Sequence, residues 1–386
     1  MSRPDARGLR LALFTDTYAP QVNGVARTLE RLVAAVENAG GAVRVETVED
    51  PLAVNDARVV RWPSAPFFAY PQLRMSAPLR ADVAAGLRAW KPTLLHATTP
   101  FGVGLAGRTA ARALQVPLVT SYHTAFPEYL KHYGLGALDP ATWPYLRWFH
   151  NSGQRTFAPS RMVATQLLGQ GFRELRVWGR GVDPERFHPR FRSNAMREAM
   201  GVTSDELVVA YVGRLAPEKG VLLAIEAMQQ VQARHEGRVR FAIAGDGPSD
   251  TKCRDTAPST TWFAGMLHGD ALAAFYASAD LLVFPSTTET FGNVVLEAMA
   301  SGLPVVAPDA GATTELANGD TAQLFRGGDA AALARAIEAL ITDPNRRAQL
   351  RAESLLVAQA RAWGAIWDGL FREYDEIVRA PVRRTA

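Results

Sequence analysis

The stretch Leu207–Gly220, LVVAYVGRLAPEKG, decides the fold. Its first six residues are apolar almost without a break, the pattern of a strand buried on both faces rather than one with a solvent side. A glycine follows at once, and then a short loop carrying Arg214 and Lys219. Downstream, further strand candidates stand at Val239–Ala244, Thr261–Ala264, Leu281–Pro285 and Pro304–Ala307. Upstream the same alternation begins with Leu9–Thr15, a loop through Gly24 and a helix from about Val25 to Asn38. In that helix Val25, Leu29, Leu32, Val33 and Val36 recur at helical spacing. Strands at Ala42–Val48, Val59–Trp62, Thr93–His96 and Leu118–Tyr122 follow, with helical stretches between several of them. Strands alternating with helices predict parallel sheets, hence a doubly wound α/β domain in each half. Asp183–Arg192 (DPERFHPRFR), with its prolines, reads as the linker. A last helix from about Arg346 to Val378 carries Trp363, Trp367, Phe371 and Tyr374, an aromatic stripe that reads as a packing surface.

Bulk properties agree with two soluble domains. The chain has 386 residues, 48% hydrophobic and 21% charged. Cys253 is the one cysteine, which excludes an intramolecular disulfide and a cysteine metal cluster, and a reducing cytosol is the expected setting. No run approaches the roughly 18–20 apolar residues of a membrane span. The apolar run near the N-terminus is short and interrupted by Asp16, so it reads as a first strand, not a signal peptide. The net charge of +4 is unevenly spread: residues 1–192 carry +10 and the remainder −6. A basic half can meet an anionic surface such as lipid, or simply present solvated arginines, and both readings stand here. The same holds for Leu73–Trp90, where Leu79, Val83, Leu87 and Trp90 form one helical face with Arg80, Arg88 and Lys91 nearby. That face lies either on anionic lipid or on the core.

Ligands of doubly wound sheets bind where strand carboxyl ends meet helix N-termini. Three such corners stand out. In Asp16–Val25 (DTYAPQVNGV), Gly24 lets a ligand approach the backbone and the next helix offers unpaired N–H groups. In Gly213–Gly220, Arg214 and Lys219 form a cation pair of the kind a diphosphate needs; a solvated basic turn is the other reading. In Pro285–Pro304 (PSTTETFGNVVLEAMASGLP), Gly292 ends a turn and a helix starts near Asn293, a phosphate-binding geometry. Glu289 lies before that helix and Glu297 about one turn inside it; carboxylates at these places can hold paired hydroxyls, or serve as cap and surface charge. The apolar neighbours of Glu297 predict that it has a polar partner. His123 ends a first-half strand (TSYHT), and neither His132 nor His150 shares a metal-ligand spacing with it. No D-x-D motif occurs, so no metal and no cofactor is expected.

Taken together, ETFGNVVLE, GRLAPEKG, AGDGP (Ala244–Pro248), ADLLVFPS (Ala279–Ser286) and ASGLPVVA resemble the retaining GT-B glycosyltransferases of family 4, from Leu9 to about Tyr374. The resemblance implies an α/β GT-B fold, two Rossmann-like doubly wound domains facing across a cleft. Residues 1–190 would bind the acceptor and 191–362 the sugar-nucleotide donor, with a helix over 363–386 packing back on the first domain. It further implies that Arg214 and Lys219 hold the donor diphosphate and that Glu297 binds the ribose. Glu289 would contact the transferred sugar, and the Phe291, Gly292, Asn293 and Val294 backbone would support sugar and phosphate. Asn23 and Gly24 would approach the diphosphate, His123 would line the sugar pocket, and Met266 beside Gly265 would meet the base. The segments DTYAPQVNGV, SYHTAFPEYLKHYG, YLRWFHN and WGRGVDPERFHP are similar to bacterial GDP-mannose-dependent α-mannosyltransferases. The expected partners are therefore GDP-mannose and a lipid or glycan acceptor, with peripheral contact to the inner face of the cell membrane and no nucleic acid. A UDP-glucose-dependent glycolipid synthase, a non-catalytic sugar-nucleotide-binding module and a sugar-nucleotide epimerase are the alternatives.

Overall fold

The computed structural model describes residues 5–21, 23–67, 70–76, 78, 80–123, 139–202, 205–289 and 291–380. The chain forms two compact units, Met1–Gly179 with Ile366–Ala386, and Arg180–Ala365. Asp183–Arg192, expected as a linker, lies inside the second unit. There Phe187 is buried against Tyr276, with ring centroids 5.7 Å apart.

The first unit contains β1 (Arg10–Phe14), β2 (Ala42–Val48), β3 (Val59–Trp62), the hairpin strands β4 (Ser64–Phe67) and β5 (Tyr70–Ser76), β6 (Leu94–Ala97), β7 (Leu118–Ser121), β8 (Arg155–Ala158) and β9 (Leu175–Val177). All but the hairpin join one parallel sheet in the order β3-β2-β1-β6-β7-β8-β9. Successive residues serve opposite faces. On one, Ala12, Phe14, Leu95 and Ala97 pack with Val83 and Leu87 of the Arg80–Trp90 helix and with the Gly102–Leu114 helix. Val83 and Leu87 are fully buried and Trp90 packs on the same cluster, which settles the two readings of this helix in favour of the core. Leu79 lies outside the described residues.

The other face receives the aromatic stripe. The single helix expected from about Arg346 to Val378 is two, Pro344–Ala360 and Trp363–Arg379. Between them Ala362 makes a parallel bridge to Val182, with Val182 N–H donating to Arg361 O and Trp363 N–H to Val182 O. Backbone groups given to that bridge are not available to continue a helix. Trp367, Phe371 and Tyr374 are buried; Trp367 packs on Trp178, and Tyr374 lies edge-on to His96 and Phe157.

The second unit contains β10 (Leu207–Val212), β11 (Val239–Ala244), β12 (Trp262–Gly265), β13 (Leu281–Val283), β14 (Val305–Pro308) and β15 (Ala322–Phe325), ordered β12-β11-β10-β13-β14-β15 and all parallel. The apolar run of β10 is now explained. Val208 and Ala210 belong to one core cluster and Val209 and Tyr211 to another, with helices covering both. Each unit is thus a Rossmann-like, doubly wound domain.

Candidate active site

Strand order tells where each sheet opens. In the second unit the chain winds from β10 outward through β11 and β12, then restarts beside β10 with β13. The crevice of an open α/β sheet lies at such a reversal, outside the strand carboxyl ends. The loops leaving β10 and β13 there are GRLAPEKG and PSTTETFGN.

These two loops are joined by polar contacts. Lys219 Nζ donates to Glu289 Oε2 at 2.7 Å, a half-buried ion pair. Ser286 Oγ and Thr288 Oγ1 both donate to the Glu218 carbonyl, at 3.3 and 3.2 Å. Arg214 is exposed on the first loop. Behind it AGDGP closes up: a Cβ on Gly245 would stand 1.9 Å from Gly213 O, so only glycine allows the two backbones to meet.

Two helices start at this crevice, Val221–Arg234 after Gly220 and Asn293–Ala300 after Gly292. Both glycines are left-handed, and neither helix has a side-chain cap. Their first-turn N–H groups therefore face outward with the positive helix end, a place for an anion. Gly292 cannot be replaced cheaply, since φ is 94° and a Cβ would come within 2.6 Å of Thr313 Cγ2. Inside the second helix Glu297 is half-buried and accepts from Tyr276 Oη at 3.1 Å, the polar partner its surroundings required. Phe291 is buried in the core, Val294 half-buried and Asn293 exposed, while Met266 is 58% exposed beyond the end of β12.

In the first unit the reversal falls between β1 and β6. Asn23 caps the Gly24–Asn38 helix there, its side-chain oxygen accepting from Val25 and Ala26 N–H at 3.0 and 2.9 Å. Two of the groups read from the sequence as anion donors, the Val25 and Ala26 N–H, thus go to Asn23. His123 lies just beyond β7, half-buried, its ring edge-on to Trp178 at 5.4 Å. Thr124 and His132 fall outside the described residues.

Sequence reasoning passed over three residues. Asp16 is buried at the first reversal, accepting from Thr99 Oγ1 at 2.5 Å and from Val103 N–H at 3.0 Å, and burial pushes its carboxyl from 3.8 up to about 6. A charged residue directly after an apolar strand was the available signal. Tyr276 sits on an ordinary apolar helix and gave none. Thr313 is buried with its hydroxyl unpartnered among the described residues, beside Gly292.

Comparisons with known proteins bear on the family and the fold. A model described as "Glycosyltransferase Family 4" matches residues 22–186, and one described as "Glycosyl transferases group 1" matches 206–343. A GDP-mannose-dependent alpha-mannosyltransferase of Corynebacterium glutamicum is 33% identical, over 96% of this chain and 90% of that protein. The chain belongs to the family-4 glycosyltransferases. An alpha-monoglucosyldiacylglycerol synthase of Streptococcus pneumoniae is 29% identical over 92% of this glycosyltransferase and 84% of its own length. Among solved structures, a sucrose-phosphate synthase from Thermosynechococcus elongatus superposes with a TM-score of 0.74 at 21% identity, covering 95% and 98% of the two chains. That likeness fixes the GT-B fold of the glycosyltransferase. Among the described residues no helix is long and apolar enough to cross a membrane.

Proposed function

We propose that this glycosyltransferase moves mannose from GDP-mannose, with retention, to a lipid-borne acceptor at a membrane surface. The observation that carries the reading is the second unit's crevice: two uncapped helix N-termini, Arg214, the Lys219–Glu289 pair and the Glu297–Tyr276 pair along the loops after β10 and β13. Its positive part suits a diphosphate, and its two carboxylates suit hydroxyls at either end of a sugar nucleotide. The 33% identity to a GDP-mannose-dependent enzyme over nearly the whole chain supports the donor, and the lipid glucosyltransferase relative supports the acceptor class.

In this reading the bond from the sugar's anomeric carbon to the diphosphate breaks as the acceptor oxygen bonds to the same face. The acceptor proton passes to a diphosphate oxygen. Arg214, Lys219 and the helix ends hold the charge that grows on the leaving group, in the role a divalent cation fills elsewhere. Calorimetric titration with GDP and UDP tests the donor: GDP should bind at least about tenfold tighter, and tighter UDP binding would select the UDP-glucose alternative. Incubation with GDP-mannose and a lipid extract, read by mass spectrometry, separates an enzyme from a binding module. Chelation with EDTA should leave the rate unchanged, and a rate lost to EDTA and restored by magnesium would overturn the metal-free reading.

A further inference from the structure

Tyr276 gave no signal in the sequence, yet it is bonded to a carboxylate of the second crevice. It lies near the end of the Gly269–Ser278 helix, where Ala273, Phe275, Tyr276 and Ala277 are all buried. Tyr276 itself is fully buried, and its hydroxyl donates to Glu297 Oε2 at 3.1 Å. Burial, and after it the charge of Glu297, raise the phenol well above its ordinary value, so the hydroxyl keeps its proton and remains a donor. On the Asn293–Ala300 helix, Val295, Leu296, Ala298, Met299 and Ala300 are buried, whereas Asn293 is exposed and Val294 and Glu297 are half-buried. Asn293 and Val294 precede Glu297 by four and three positions, so the three share the helix face that the core leaves open.

The ring of Tyr276 is held by the segment that the sequence offered as a linker. Asp183 Oδ1 accepts from Glu185 and Arg186 N–H at 3.0 and 3.2 Å, and the Asp183 carbonyl accepts from Phe187 N–H at 2.9 Å. This closed turn sets Phe187 in the core, its ring edge-on to Tyr276 with centroids 5.7 Å apart. Phe275 meets the same ring at 6.4 Å. A fully buried ring packed against two aromatic neighbours keeps one rotamer, so the hydroxyl reaches Glu297 from a fixed position.

A glutamate must fix several side-chain torsions before its carboxylate can accept two neighbouring hydroxyls at once, and ordering them weakens binding. A fixed phenol sets the rotation of the carboxylate beforehand and removes part of that cost. We propose that Tyr276, backed by Phe187, is a positioning residue for the donor: its hydroxyl orients Glu297 to accept the paired ribose hydroxyls of the nucleotide. The proposal rests on the reading of Glu297 as the ribose-binding carboxylate, and not on which base the nucleotide carries. It gives the Asp183–Arg192 segment a part in donor binding, transmitted through one aromatic contact and one hydrogen bond.

The full chain and its variants are titrated calorimetrically with GDP and UDP, and with the 2′,3′-dideoxy form of each. Tyr276→Phe keeps the ring against Phe187 and loses only the hydroxyl. It should bind the ribonucleotide that wild type prefers about fivefold or more weakly, the loss expected for one hydrogen bond to a charged group. The dideoxy form offers Glu297 no hydroxyl, so Tyr276→Phe and wild type should bind it within about twofold of each other. Glu297→Gln should show the same selectivity with a larger loss. Phe187→Leu leaves every hydrogen-bonding group in place and should lose about twofold toward the ribonucleotide alone, so a fold defect in one variant does not decide the outcome. Equal weakening of Tyr276→Phe toward the ribonucleotide and its dideoxy form would mark a structural role and overturn the proposal. Wild-type affinity in Tyr276→Phe beside a weakened Glu297→Gln would overturn it too, and leave the site reading intact. Wild-type affinity in Glu297→Gln as well would remove Glu297 from the ribose, and both would fall.

Discussion

Lys219 and Glu289 stand 70 positions apart in the chain and 2.7 Å apart in space. Each was legible as a candidate alone; their pairing was not, because it depends on β13 being laid beside β10. The pair is half-buried, so breaking it should change stability by no more than about 1 kcal/mol. Its effect on ligands is larger. In the proposed reading, Glu289→Gln frees Lys219 for the diphosphate, so GDP should bind a few times more tightly while sugar transfer falls about a hundredfold or more. Calorimetry with GDP and a steady-state rate check both arms, and an unchanged rate would remove Glu289 from the chemistry. Asp16 makes a prediction of its own. Its folded carboxyl titrates near 6, against 3.8 ordinarily, so between those values the folded state binds more protons than the unfolded one. Stability from this group is therefore greatest below about 4 and falls as pH rises to 6, by at most about 3 kcal/mol. Melting temperatures of wild type and Asp16→Asn, compared from pH 4 to 7, should diverge in the variant's favour as pH rises.

At the scale of elements, what matters is how helices begin. The Gly24–Asn38 helix has the Val25 and Ala26 N–H groups filled by Asn23, whereas the two helices at the second crevice start from left-handed glycines. The sequence marked Gly24 and Gly292 alike as turn glycines; the Asn23 cap on one side and the left-handed φ of Gly292 on the other separate them. Gly292→Ala should cost about 1–3 kcal/mol from its positive φ and the collision with Thr313. It should also weaken GDP binding, which calorimetry would detect. Thr313→Val keeps the shape of the side chain and removes only the hydroxyl. Donor affinity should fall about fivefold if that hydroxyl meets the ligand, with the melting temperature held. Strands buried on both faces were readable from composition, as in β10 and β11. The ones missed were short, exposed or proline-bearing: β8, β9 with two exposed residues, β15, and the β4–β5 hairpin containing Pro66 and Pro71.

At the scale of the molecule, acid should act on one unit before the other. His96 and His150 are fully buried in the first unit, where desolvation holds both imidazoles down at about 3. His96 is tied to Tyr374 Oη at 2.7 Å and to Ser121 Oγ at 2.5 Å, and His150 to Thr120 Oγ1 at 2.9 Å. Unfolding lets each take a proton below 6.5, so the unfolded state binds more protons between 6.5 and 3. Stability then falls with pH by about 1.4 kcal/mol per pH unit for each histidine, which outweighs the opposite slope of Asp16. Hydrogen exchange at pH 4.5 should find the first unit opening while the second stays protected. Equal protection of both units would refute this.

The return of the Trp363–Arg379 helix to the first unit also governs how the chain is made. On the ribosome, residues 180–365 must be synthesised before the rest of that helix exists, a delay of roughly 10–40 s at elongation rates of about 5–20 residues per second. Throughout it, the face of the first sheet bearing His96, Phe157 and Trp178 waits without its cover, a nascent surface for a chaperone to hold. A stop codon after Ala365 would make the delay permanent: the first unit should then aggregate, while the second, Arg180–Ala365, should still fold.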